Sequence, residues 1–159
     1  MVNFLKNQAL QVALFLSTFI NKIDNKGRVS VPAQFRASLV SQDFCGIIIY
    51  ESFINDCIEG CDLNRIKALS DSIDNLDPFS EERDAFATAI LGSAVQLAFD
   101  SDGRVVLPQA LIKKAEIKDQ AVFIGKGSTF EIWQPAKFDK YLIKSKQSAR
   151  EKRNLLKTK

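Results

Sequence analysis

The chain has 159 residues, 46% of them hydrophobic, with 22 Lys or Arg against 19 Asp or Glu and a formal net charge of +3. That length allows one ordinary domain or two small ones, and the apolar share supports a packed core and excludes a fully disordered polymer. Histidine is absent, which removes the commonest general base and metal ligand together with every Ser-His or Cys-His nucleophile pair.

The charge is unevenly spread. Residues 137–159 hold nine Lys or Arg and two acids, whereas the rest of the chain holds 13 basic and 17 acidic residues. A basic end on a mildly acidic body implies either an anionic partner or a solvated helix face. The cysteines are Cys45, Cys57 and Cys61. A single Cys-x-x-x-Cys pair without a second pair or a histidine is a poor zinc site, so free, partly buried thiols in a reducing cytosol fit better. No metal or cofactor is called for.

In chain order, residues 9–20 form an apolar run after Lys6. It imitates a signal peptide but lacks the small-residue cleavage pattern, is interrupted by Gln11, and is too short to span a bilayer. Residues 1–14 read as an N-terminal extension, either a short helix or disordered. Phe15 to Ile23 reads as a strand with Phe15, Phe19 and Ile23 on one side. Asp24-Asn25-Lys26-Gly27 supplies turn chemistry, since Asp bonds backbone groups ahead of it and glycine accepts positive φ. Arg28 to Val31 returns as a strand, and Pro32 heads a short helix with Phe35 and Leu39 at i, i+4.

Gly46 to Tyr50 is a continuous apolar run and reads as a buried strand, completed into a hairpin by a short strand near Cys57 to Glu59. A helix is expected from about 63 to 72, broken by Asp74 to Pro78. Ser80 reads as the N-cap of another, running to about Leu91 and ended by Gly92. Ala94 to Phe99 is then a strand, Asp100 to Gly103 a turn, Arg104 to Leu107 a strand, and Pro108 the head of a helix. Ala121 to Ile124 and Thr129 to Trp133 flank Gly125-Lys126-Gly127-Ser128. That turn lacks the third glycine and Lys-Ser/Thr of a phosphate loop, so it reads as a hairpin. Pro135 onward is a helix that becomes steadily more basic and frays after Arg150.

The organising feature is a repeat. Asp24-Asn25-Lys26-Gly27-Arg28-Val29-Ser30-Val31-Pro32 recurs 76 positions later as Asp100-Ser101-Asp102-Gly103-Arg104-Val105-Val106-Leu107-Pro108. Both copies read Asp-x-x-Gly-Arg-Val-x-apolar-Pro. Each unit is strand, turn, strand, Pro-headed helix, hairpin, helix. Two-strand pieces of this size are not stable singly, so the copies are expected to interlock around one core.

The duplicated motif, with Pro-Ala-x-Phe-Arg after its first copy and Phe-Glu-Ile-Trp after its second, resembles the MraZ family over roughly residues 15–142. The resemblance implies a mostly β, α+β fold of two swapped-hairpin AbrB-like units in pseudo-twofold relation. It divides the chain into an extension at 1–14, one unit at 15–62, a helical connector at 63–92, a second unit at 93–137 and a basic helix or tail at 138–159. It implies a DNA-binding transcriptional regulator acting on repeated promoter boxes of a bacterial cell-division and cell-wall gene cluster. Such a protein is cytoplasmic and nucleoid-associated, and forms a homo-oligomer of ring shape with double-stranded DNA as partner. Membrane and small-molecule substrates have no place in it. The family's DNA-contacting arginine falls on Arg28 and, in the second copy, on Arg104, with Lys26 beside the first. Asp24, Gly27, Pro32, Asp100, Gly103 and Pro108 are the structural positions of the motif.

The sequence departs from the family pattern in three places. Leu16-Ser17 follows Phe15 where glycine is usual, Asp102 stands where the first copy has Lys26, and the N-terminal extension is additional. The Lys26-to-Asp102 change makes the first turn the stronger anion contact. A ring-forming protein-interaction scaffold of cradle-loop fold, without DNA binding, is the alternative. An enzyme has little support, because the adjacent carboxylates Glu81 and Glu82 do not face each other on a helix.

Overall fold

The computed structural model describes residues 13–39 and 42–156. The readings made for residues 1–12 lie outside these. The strands are β1 (Thr18–Lys22), β2 (Arg28–Ser30), β3 (Gly46–Glu51), β4 (Ile58–Cys61), β5 (Val95–Ala98), β6 (Arg104–Val106), β7 (Gln120–Gly125) and β8 (Phe130–Trp133). The helices are α1 (Ala33–Ala37), α2 (Leu63–Asp74), α3 (Glu81–Phe86), α4 (Gln109–Lys114) and α5 (Pro135–Glu151). Strand and helix types agree with the sequence reading throughout these elements. Asp62 and Ser80 cap α2 and α3 by accepting from the backbone N–H of Arg65 and Arg83.

The expected long first strand is shorter. Ser17 has φ of 78°, a left-handed conformation in which a non-glycine residue is strained, so Phe15 joins the sheet only through one bridge to Gly127. The helix from Ser80 reaches Leu91 in two parts, because Ala87–Leu91 is a π-helical turn in which the Gly92 N–H donates to the Ala87 carbonyl at 2.9 Å. That wider turn already satisfies the terminal carbonyl. Gly92 therefore caps it at φ of −68°, right-handed, without the left-handed cap a terminal glycine usually supplies.

Six strands form one antiparallel sheet in the order β1-β7-β8-β4-β3-β5, and β2 and β6 form a separate two-stranded ribbon. This is the interlocking of the two copies expected from the repeat, with the strand exchange that the family resemblance implies. β1 pairs with β7 and β2 with β6, and the β1 and β2 segments share an isolated Ile23–Val29 bridge and the Asn21 side-chain bond to the Ser30 carbonyl rather than a ladder. The physical reason is burial. A lone hairpin has one neighbour per strand and almost no apolar cover, whereas the crossed pairing places strands of both copies around a shared core.

That core takes Val29, Val31 and Phe35 from the first copy with Val105, Leu107 and Ile117 from the second, against Phe123, Phe130 and Ile132 of the sheet. Alternation along β3 sends Ile47 and Ile49 into it and Ile48 and Tyr50 to the opposite face. The opposite face is covered by α2 through Leu63, Ile66 and Leu69, and by α5 through Phe138, Tyr141 and Leu142. Cys61 and Cys57 are buried in these two separate layers, while Cys45 is exposed. The buried carboxylate of Glu131 sits in the α5 layer, accepts from the Trp133 indole at 3.1 Å and lies 3.2 Å from Lys126 Nζ. No helix among the described residues is long and apolar enough to cross a membrane.

Candidate nucleic-acid interface

Each motif turn is built by its aspartate. Asp24 Oδ1 accepts from the backbone N–H groups of Lys26 and Arg28, both at 2.9 Å, and Oδ2 accepts from Arg28 Nε at 2.7 Å. Asp100 repeats the pattern with Asp102 and Arg104 at 2.8 and 2.9 Å, and with Arg104 Nε at 2.9 Å. The local ion pair is thus present in both copies. It uses Nε and not the outer nitrogens of the guanidinium, so the aspartate orients the arginine rather than consuming it. Both carboxyls are held below their ordinary 3.8. For Asp24 the causes are first the Arg28 backbone N–H and then its guanidinium; for Asp100 the Arg104 backbone N–H comes first.

A depressed folded-state value stabilises the fold above the unfolded value, and that contribution disappears as pH falls through the folded one. The melting-temperature gap between the wild type and an Asp24→Asn, Asp100→Asn double variant is therefore expected to be widest above about pH 5 and to shrink in acid. Thermal melts between about pH 2 and 6 check this, and a gap independent of pH contradicts it.

The turns also lock the two copies together. The Gly27 carbonyl accepts from Leu107 N–H at 2.8 Å, and the Gly103 carbonyl from Val31 N–H at 3.2 Å. Gly27 has φ of +84° and Gly103 of +74°. A Cβ on Gly27 would stand 2.6 Å from the Leu107 carbonyl oxygen, whereas one on Gly103 would stand 2.6 Å from the Arg36 side chain. Both alanine variants carry the left-handed strain of about 1–2 kcal/mol. Arg36 can move and the backbone at Leu107 cannot, so Gly27→Ala is expected to lose more stability than Gly103→Ala in urea titrations. Equal losses would refute that reading.

The β2–β6 register brings the two arginines onto one surface. Arg28 lies opposite Val106 and Ser30 opposite Arg104, so these four share the outward face while Val29 and Val105, each 1% exposed, point into the core. A groove of about 430 Å³ runs beside them, lined by Arg28, Ser30, Arg104, Lys22, Asp119 and Gln120 among others. Asn21 steadies it by donating to the Ser30 carbonyl at 2.7 Å. Pro32 and Pro108 are the N-cap residues of α1 and α4, with ψ of 137° and 136°, and their carbonyls accept from the Arg36 and Ile112 N–H groups at 3.0 and 3.1 Å.

The two ends differ as the sequence indicates. Lys26 is exposed beside Arg28, and among the described residues the Nη groups of Arg28 have no partner. Arg104 Nη2 lies 3.3 Å from Asp102, which ties up part of its fork. The sequence reading missed Lys22, Asn21, Asp119 and Gln120 as neighbours of the motif. Alternation along β1 marks the side of Lys22, but Asp119 and Gln120 arrive only through the β1–β7 pairing. Six of the tail's described cations, Lys140, Lys144, Lys146, Arg150, Lys152 and Arg153, are exposed, and the helix packs through its other side.

A family model described as "MraZ protein, putative antitoxin-like" matches residues 14–87 and again residues 90–158. The chain belongs to the MraZ family. The two matches coincide with the two motif copies, as the repeat requires. The proteins named "Transcriptional regulator MraZ" of Rickettsia felis, Rickettsia akari and Rickettsia typhi are 56%, 54% and 55% identical to it over 140 residues. Each match spans 88% of this chain and 94% of the relative. The tandem AbrB-like fold implied by the resemblance is the fold of this MraZ-family chain, with strands exchanged between its two units.

Proposed function

We propose that the chain is a transcription regulator that binds double-stranded DNA through the β2–β6 ribbon, with Arg28, Arg104 and Lys26 as its contacts. The supporting observation is the pair of oriented arginines on one exposed face of a two-stranded ribbon, a shape that enters the major groove, where arginine is the commonest reader of guanine. The names of its relatives favour the same role. One ribbon with so few cations binds weakly, because phosphate contacts must accumulate for affinity.

The chain therefore acts as a ring-shaped homo-oligomer on repeated promoter boxes of a bacterial cell-division and cell-wall gene cluster, where many weak sites engage together. Leu14, Leu16 and Ile20, on and just before the edge strand β1, are 57–60% exposed, and a second copy of the chain is the natural cover for such an edge. The protein works in the cytoplasm, on the nucleoid, and has no catalytic step. Native mass measurement with and without a duplex from its own upstream region tests this. A monomer that leaves the duplex unbound overturns it.

A further inference from the structure

The outward face of the ribbon is not symmetric, although the repeat that builds it is. Arg28 and Arg104 occupy matching positions, but Ser30 of the first copy corresponds to Val106 of the second. Val106 is 53% exposed, directly across the ribbon from Arg28. Ser30 stands across from Arg104 and lines the groove with Lys22 and Gln120. A valine held half in water, beside the Arg28 guanidinium, gains from any surface that removes its methyl groups from solvent.

We propose that Val106 is a specificity-determining residue that packs on the C5-methyl group of a thymine next to the guanine taken by Arg28. This rests on the DNA-binding reading above. In the major groove only thymine presents an apolar group, and small apolar side chains contact it. Cross-strand neighbours in a ribbon stand about 5 Å apart, on the scale of the 3.4 Å step between bases on one strand. A residue facing Arg28 across the ribbon thus reaches an adjacent base pair. Ser30, in the same place beside Arg104, offers a hydroxyl and no such packing. The ribbon consequently has a methyl-reading end and a hydrogen-bonding end, and it reads its site in one direction.

The full-length protein is used to recover duplexes from a random pool. The recovered sequence is resynthesised with deoxyuridine in place of single thymines, which removes the methyl and keeps the pairing. One thymine, adjacent to the guanine whose contribution is lost in Arg28→Ala, is expected to matter. Deoxyuridine there weakens wild-type binding about threefold to fivefold per box, the factor for one buried methyl. Val106→Ser binds both duplexes equally, and Val106→Thr, which keeps a methyl, keeps the discrimination.

Indifference of the wild type to deoxyuridine at every thymine overturns the inference, as does unaltered discrimination by Val106→Ser. A Val106→Ser change that lowers the native mass and leaves discrimination intact also overturns it, because the valine then serves subunit contact. If the pool yields no enriched sequence, the DNA-binding reading fails with it. If a sequence is enriched and is lost in the Arg28→Ala, Arg104→Ala variant but shows no methyl effect, only the Val106 inference falls.

Discussion

An Arg28→Ala, Arg104→Ala double variant is expected to lose sequence-selective DNA binding while keeping the native mass and circular dichroism spectrum of the wild type. Both side chains are about 40% exposed, so their removal leaves the core intact. What is removed is the pair of guanidinium forks that the aspartates aim outward. Each guanine-reading arginine contributes roughly 1–3 kcal/mol per engaged box, and losses at several boxes multiply through avidity. Arg28→Ala alone should cost more than Arg104→Ala alone, because Asp102 already engages one end of the Arg104 fork at 3.3 Å. Gel shifts on a fragment of the protein's own upstream region, at fixed salt, provide the measurement. Unchanged affinity and selectivity in the double variant would remove the ribbon from the mechanism.

Phe35→Ala is expected to be the most damaging single change to stability. The Phe35 ring is fully buried, and its centroid lies 5.2 Å from that of Phe15, 5.3 Å from Phe130, 5.6 Å from Phe19 and 6.4 Å from Phe123. Several of these pairs are edge-to-face, an arrangement that adds to area burial. Truncation removes the hub of the cluster and leaves a cavity among rings held by separate strands, at a cost of about 3–5 kcal/mol. Because the same cluster supports both β2 and β6, the variant should lose DNA binding together with folding. Urea unfolding checks this, and a loss under about 1 kcal/mol would mean that the neighbouring rings collapse into the gap.

Much of the site is legible in the amino-acid sequence. Asp24 and Asp100 at four residues before an arginine, with glycine between, specify a turn whose carboxylate collects two backbone N–H groups and one guanidinium, and that arrangement is found twice. The Lys26-to-Asp102 difference likewise translates directly into a second ion pair on the Arg104 guanidinium, beyond the one aspartate contact that both arginines share. These features are local. They depend on side-chain chemistry within five consecutive residues, where the chain has little freedom to do otherwise.

The partners of the strands are not legible in the same way. The pattern before and after each turn would suit a local hairpin as well as an exchange, and the exchange is implied by the instability of lone two-strand pieces and by the family resemblance. β1 pairs with β7, and β2 with β6, because only that exchange gives every apolar face a neighbour. Asp119 and Gln120, close to the first motif copy in space and almost a hundred residues from it in sequence, reach the groove through the same exchange.

Residue chemistry acting over short separations thus specifies the repeat, the types of its strands and helices, the turn that aims each arginine, and the inequality of the two turns. All of these can be read along the chain. That the ribbon takes one strand from each copy, so that Arg28 and Arg104 share a face and Val106 stands opposite Arg28, emerges only from the folded arrangement. Burial of a common core selects that pairing, and a choice made by the sum of many distant apolar contacts has no signature in any single stretch of the chain.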